Sequence, residues 1–88
     1  MKTKTGFTLR PLGKDYILIA DSIEQVDFNK MITMNQTAAF LWNKALLQEF
    51  DAVIMARWLQ EEYDVSETQA LADAQTTLES WRKAGIIE

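Results

Sequence analysis

Chemistry at a protein site needs groups that converge and whose protonation can be tuned. In this sequence the candidates are carboxylates: Glu61, Glu62 and Asp64 fall together, and Asp73 stands apart between Ala70 and Ala74. Close carboxylates can divide the roles of general acid and general base. The first three, however, sit at the polar end of a helical pattern, where a solvated face accounts for them. Asp73 borders an apolar stripe, and its simplest role there is an ion pair with Lys or Arg.

The rest of the reactive inventory is missing. The sequence has no His and no Cys, which removes the commonest general base, the best nucleophile, any disulfide and any imidazole or thiolate metal site. Gly6, Gly13 and Gly85 are too far apart to form a phosphate-cradling loop. Met31, Met34 and Met55 with Trp42 and Trp58 suggest a ligand pocket, but side chains of this kind at strand and helix spacing read first as core. The expectation is a non-enzyme with no metal and no cofactor.

The elements that would position any site follow from the apolar pattern. Phe7-Thr8-Leu9-Arg10 alternates as a half-buried strand, limited by Pro11. Leu12 to Asp15 reads as a tight turn. Tyr16 to Ala20 is a β-branched apolar run suited to the centre of a small sheet. Asp21 to Asn29 reads as a connection, with Ile23, Val26 and Phe28 alternating loosely, and Asn29-Lys30 as a turn into a third strand, Met31 to Met34. Asn35 is then a helix N-cap, and the first helix runs to about Gln48 with Ala38, Ala39, Leu41, Trp42, Ala45 and Leu46 as its apolar stripe. Asp51 caps a second helix to about Tyr63, with Met55, Leu59 and Tyr63 on one face. Ser66 and Gln69 match a capping box, opening a third helix to about Lys83 whose inward stripe is Ala70, Ala74, Thr77, Leu78 and Trp81. Gly85 stops it, and Ile86-Ile87 turn back onto the core. The order β-β-β-α-α-α implies an α+β fold: a winged-helix-like domain with a three-stranded antiparallel sheet followed by three helices, in one domain over residues 1–88.

Composition supports a folded protein: 48% of its residues are hydrophobic, with three Trp and four Phe. No apolar run is long enough to span a bilayer, and the basic start, Met1-Lys2-Thr3-Lys4-Thr5, lacks the apolar stretch of a secretion signal; a cytoplasmic location is expected. The net charge of −4 is uneven. Residues 35–88 carry Lys44, Arg57, Arg82 and Lys83 against nine acids, a balance that repels a phosphate backbone. The third helix, with Glu67, Asp73 and Glu79 ahead of Arg82 and Lys83, lacks the basic character of a recognition helix. A winged-helix DNA binder is therefore the weaker alternative, and no nucleic-acid partner is expected.

Several segments, taken in order, resemble the PqqD family, small proteins of coenzyme PQQ synthesis and related peptide-modification systems. They are Gly6-Phe7-Thr8-Leu9-Arg10, Tyr16-Ile17-Leu18-Ile19, Val26-Asp27-Phe28-Asn29, the strand-to-helix stretch Met31 to Trp42 with its Asn35, Thr37-Ala38 and Leu41-Trp42, Leu59 with Tyr63-Asp64-Val65, Asp73, and Gly85-Ile86-Ile87-Glu88. The match spans nearly the whole chain. It departs from the family at Leu46-Leu47-Gln48-Glu49-Phe50-Asp51, which lacks the frequent Asp-Gly turn, at Thr77, where an aromatic residue is common, and at Trp58, which is large for its place.

The resemblance implies a peptide-binding module of the RiPP recognition element type. In such a module the leader of a precursor peptide adds as a strand beside the third strand, in a groove against the third helix, and is presented to a modifying enzyme, often a radical-SAM protein. The physics of an open sheet edge agrees, since its unpaired N–H and C=O groups can be satisfied by an extended peptide. The expected site has Lys30, Met31, Ile32, Thr33 and Met34 as the edge, and Leu71, Gln75, Leu78 and Arg82, at i, i+4, i+7 and i+11, as the opposite wall. Leu71 and Leu78 also fit a core role, and Arg82 also suits the helix dipole at the last turn. A third reading, a protein–protein assembly module, rests on Ile54 and Trp58, which lie off the main stripe of the second helix and read as a candidate exposed apolar patch.

Overall fold

The computed structural model describes residues 1–20, 32–46 and 48–88. Its elements are β1 (Phe7–Leu12), β2 (Asp15–Ala20), β3 (Ile32–Met34), α1 (Gln36–Ala45), α2 (Ala52–Glu62) and α3 (Glu67–Ala84). This is the α+β order read from the sequence. The expected connection from Asp21 to Asn29, the turn at Lys30, and Met31 and Leu47 lie outside the described residues.

The sheet is antiparallel in the order β1-β2-β3, with the apolar run Tyr16 to Ala20 at its centre. Leu18 is paired with Leu9 on one side and Ile32 on the other, and Tyr16 with Met34. Alternation therefore sends Leu9, Leu18, Ile32 and Met34 to one face. That face meets the helices: Leu18 and Met34 are buried, and Leu9, Tyr16 and Ile32 pack against the core. Pro11 does not end β1, contrary to the sequence reading; it pairs with Tyr16 inside the strand. β1 lies at a sheet edge, where a residue without an N–H can be accommodated.

The β1–β2 turn is the two-residue loop Gly13-Lys14. Gly13 has φ +64° and no other residue type in the described structure has positive φ, which is the φ pattern of a type II′ hairpin turn. A Cβ at Gly13 would meet nothing within 4 Å, so Gly13→Ala carries a conformational cost alone. The expected loss is about 1 kcal/mol, measured as a shift of the urea midpoint without a change of slope.

All three expected caps form. Asn35 Oδ1 accepts from the Ala38 amide at 2.8 Å, Asp51 Oδ1 from Ile54 at 2.8 Å, and Ser66 Oγ from Gln69 at 3.1 Å. The capping box at Ser66 is half made, because the Gln69 side chain turns instead to Asp73. Gly85, at φ +75°, ends α3 with its N–H on the Arg82 and Trp81 carbonyls. α1 is shorter than expected, ending at Ala45 rather than near Gln48.

The core joins the sheet to all three helices through large aromatic side chains. Trp42 meets Trp81 edge-on at 5.3 Å, and Phe50 packs 6.2 Å from Trp81 and 6.4 Å from Trp58. Phe50 lies in the α1–α2 junction, which the family resemblance marks as divergent. Its amide donates to the Met1 carbonyl at 3.0 Å and its carbonyl accepts from the Met1 amino group at 2.9 Å. Beside it the two ends of the chain pair: Thr3 bridges Ile87, and Lys2 and Glu88 exchange two backbone hydrogen bonds of 2.8 Å. Sequence periodicity gave no sign of this clasp.

Trp58 corrects the expectation of an exposed apolar patch. It is 6% exposed. α2 buries Met55, Ala56, Trp58 and Leu59, a wide arc, because it packs on α3 on one side and on Phe50 on the other. Ile54, at its edge, is half-buried against the same core.

Candidate peptide-binding groove

The short strand β3 is positioned by two constraints. Its pairing to β2 sets Ile17 opposite Thr33 and Leu18 opposite Ile32, and the Asn35 cap turns the chain into α1 immediately after Met34. Among the described residues, no strand pairs with the outer edge of β3. An unsatisfied row of backbone groups is a template for another extended segment.

Beside β3 and α1 runs α3, and the space between them is a groove. One part, of about 210 Å³, lies between Ile32-Thr33-Met34 and Thr76, Thr77, Ser80 and Trp81. A second, of about 320 Å³, continues it between Asn35, Thr37 and Ala38 on one side and Asp73, Thr76 and Thr77 on the other. Moving from β3 into α1, the facing residues on α3 fall from Trp81 to Asp73, so the groove follows the helix axis. Trp81 and Met34 are buried at one end; the α3 wall is otherwise Asp73, Thr76, Thr77 and Ser80.

The expected edge and the expected wall fare differently. Ile32, Thr33 and Met34 line the groove; Lys30 and Met31 lie outside the described residues. Met34 is 2% exposed and belongs to the core, so Ile32 and Thr33 are the open part of the edge. Leu71, Gln75, Leu78 and Arg82 do not face β3. Gln75, Leu78 and Arg82 border a separate depression with Ala52 and Glu79, on the side of α3 that meets α2. Leu71 packs against the core and Leu78 is 8% exposed. Arg82 reaches the Met1 sulfur at 3.9 Å.

The reason is geometric. The buried stripe Ala70, Ala74, Leu78 and Trp81 has two flanks, and helical spacing alone does not say which of them meets the sheet. The residues on the groove flank are Asp73, Thr76, Thr77 and Ser80, at i, i+3, i+4 and i+7. That stripe is legible in the sequence but polar, while the expected wall is built around Leu71 and Leu78. Thr77 lines both parts of the groove.

Asp73 has no ion pair among the described residues, contrary to the expected Lys or Arg partner. Its Oδ1 accepts from Gln69 Nε2 at 2.8 Å. Glu61, Glu62 and Asp64 are exposed on the surface, and no three carboxylates among the described residues come together as a metal cage. What the arrangement offers is therefore backbone hydrogen bonding, hydroxyls, an apolar end and one carboxylate. Asn35 both caps α1 and lines the groove, and Asn35→Ala is expected to cost about 1 kcal/mol through the lost cap, readable by thermal denaturation.

A three-stranded sheet with one edge open onto a helix-walled groove, followed by a three-helix layer, defines a small winged-helix-like α+β domain. A family model for coenzyme PQQ synthesis protein D (PqqD) matches residues 17–87, and the chain belongs to the PqqD family. No curated protein sequence matches it. Among solved structures, one described as TbiB1 in complex with the TbiA(beta) leader peptide is similar, with a TM-score of 0.74 and 12% sequence identity, over 100% of this chain and 95% of that one. At that identity the likeness establishes the shared fold. No helix of the described residues is long and apolar enough to cross a membrane.

Proposed function

We propose that this chain is a non-catalytic peptide-binding domain of the RiPP recognition element type, acting in the cytoplasm. It binds the leader of a ribosomally made precursor by strand addition to β3 and presents it to a modifying enzyme, such as a radical-SAM protein. The observation that carries this reading is the open edge of β3 facing the groove against α3. Membership of the PqqD family and the fold shared with TbiB1, whose structure holds a leader peptide, support it. The peptide's main chain would supply affinity at Ile32 and Thr33, and its alternate side chains would enter the groove against Thr76, Thr77 and Ser80. The DNA-binding alternative gains no support, because α3 carries Glu67, Asp73 and Glu79 and is basic only in its last turn, at Arg82 and Lys83. The assembly reading loses the exposed Trp58 on which it stood.

Calorimetric titration with leader peptides of precursors encoded beside this gene tests the proposal. Binding tighter than ~100 μM, about −5.5 kcal/mol, is expected for one of them. Weaker binding for all would overturn it.

A further inference from the structure

We infer that the groove selects a peptide carrying an apolar side chain and, four residues away on the same face, a Lys or Arg that pairs with Asp73. The inference rests on the strand-addition reading above and adds the chemistry of the ligand. Among the described residues lining the two parts of the groove, Asp73 is the sole ionised side chain. It is exposed, it lacks a cationic partner among the described residues, and its one side-chain hydrogen bond is from Gln69. A carboxylate has about four lone-pair sites, so this single bond leaves room for a charged donor. The other end of the groove is bounded by the apolar Ile32, Met34 and Trp81.

Spacing links the two ends. Asp73 and Trp81 are eight residues apart on one helix, about 12 Å at 1.5 Å per residue. A strand running along that axis covers the distance in about four residues at 3.3 Å each. Side chains four apart in a strand share a face, so the same face that buries an apolar side chain beside Trp81 brings position i±4 to Asp73.

The test is selection of a displayed library of random 12-residue peptides on the wild-type chain, on Asp73→Lys and on Asp73→Asn, with folding of each variant checked by circular dichroism. Peptides retained by a Ser80→Trp chain, whose groove is filled, are discarded as binding elsewhere. The wild-type pool is expected to pair an apolar residue with Lys or Arg at i±4. The Asp73→Asn pool should lose that cation, and the Asp73→Lys pool should replace it with Asp or Glu. For single peptides, Lys→Glu at that position should weaken wild-type binding about fivefold, as for an exposed charge pair, and the order should invert on Asp73→Lys. Groove-specific pools with the same charge pattern on all three chains would overturn the inference and leave peptide binding standing. Failure of any groove-specific peptide to enrich would overturn the strand-addition reading, and this inference with it.

Discussion

Trp81→Ala is expected to destabilise the domain by about 3–5 kcal/mol, the cost of truncating a buried aromatic side chain. Trp81 is 2% exposed and makes edge-on contacts with both Trp42 and Phe50. Those three rings join α1, the α1–α2 junction and α3, so the cavity left behind borders three parts of the fold that cannot all collapse into it. A small domain has a thin stability margin, about 0.05–0.15 kcal/mol per residue, and this loss is a large share of it. The melting temperature should fall on the order of 20 °C. A change below about 1 kcal/mol, read from urea denaturation, would show that the aromatic cluster does not hold the fold together. The effect should exceed that of Gly13→Ala or Asn35→Ala, since those touch one turn and one cap.

Ser80→Trp is expected to do the opposite: leave the fold intact and abolish binding. Ser80 is exposed on α3 and lines the groove opposite β3. A Trp there projects into the space of about 210 Å³ that an added strand would need for its side chains. Affinity for a cognate leader peptide should drop at least tenfold, about 1.4 kcal/mol, with an unchanged denaturation midpoint. The matched control is Gln75→Trp, on the α2 flank of α3; it should bind as wild type. Equal losses for the two variants would remove the distinction between the flanks.

That distinction marks the boundary of what the sequence could reveal. Local signals were legible because their causes are local. Asn35, Asp51 and Ser66 each cap a helix through an amide three residues on, and Gly13 and Gly85 sit where positive φ is required. The strand-to-helix stretch around Asn35 was legible for the same reason, and with it the edge at Ile32 to Met34. The α3 wall was not, since the choice between two flanks of one core stripe is made by where the sheet lies. Trp58 was misread because periodicity assumes one buried face, whereas α2 is buried over a wide arc. Phe50 was missed because it lies in a connection, held there by backbone pairing with Met1, 49 positions away. Pro11 stayed in its strand because β1 is an edge, a fact of sheet order rather than of the residue. A polar stripe carries little weight in a search for binding residues, yet Asp73, Thr76, Thr77 and Ser80 form the wall that faces the open edge.

Function in this domain turns on a peptide adding to β3 in the groove against α3. An amide-shift map of the ¹⁵N-labelled protein, titrated with the leader peptide of a precursor encoded beside it, tests this most directly. The largest changes are expected at Ile32, Thr33, Thr76, Thr77 and Ser80, with small changes at Leu71, Gln75 and Arg82. Changes confined to the α2 flank of α3, or none up to ~1 mM peptide, where binding is worth only about −4.1 kcal/mol, would contradict it.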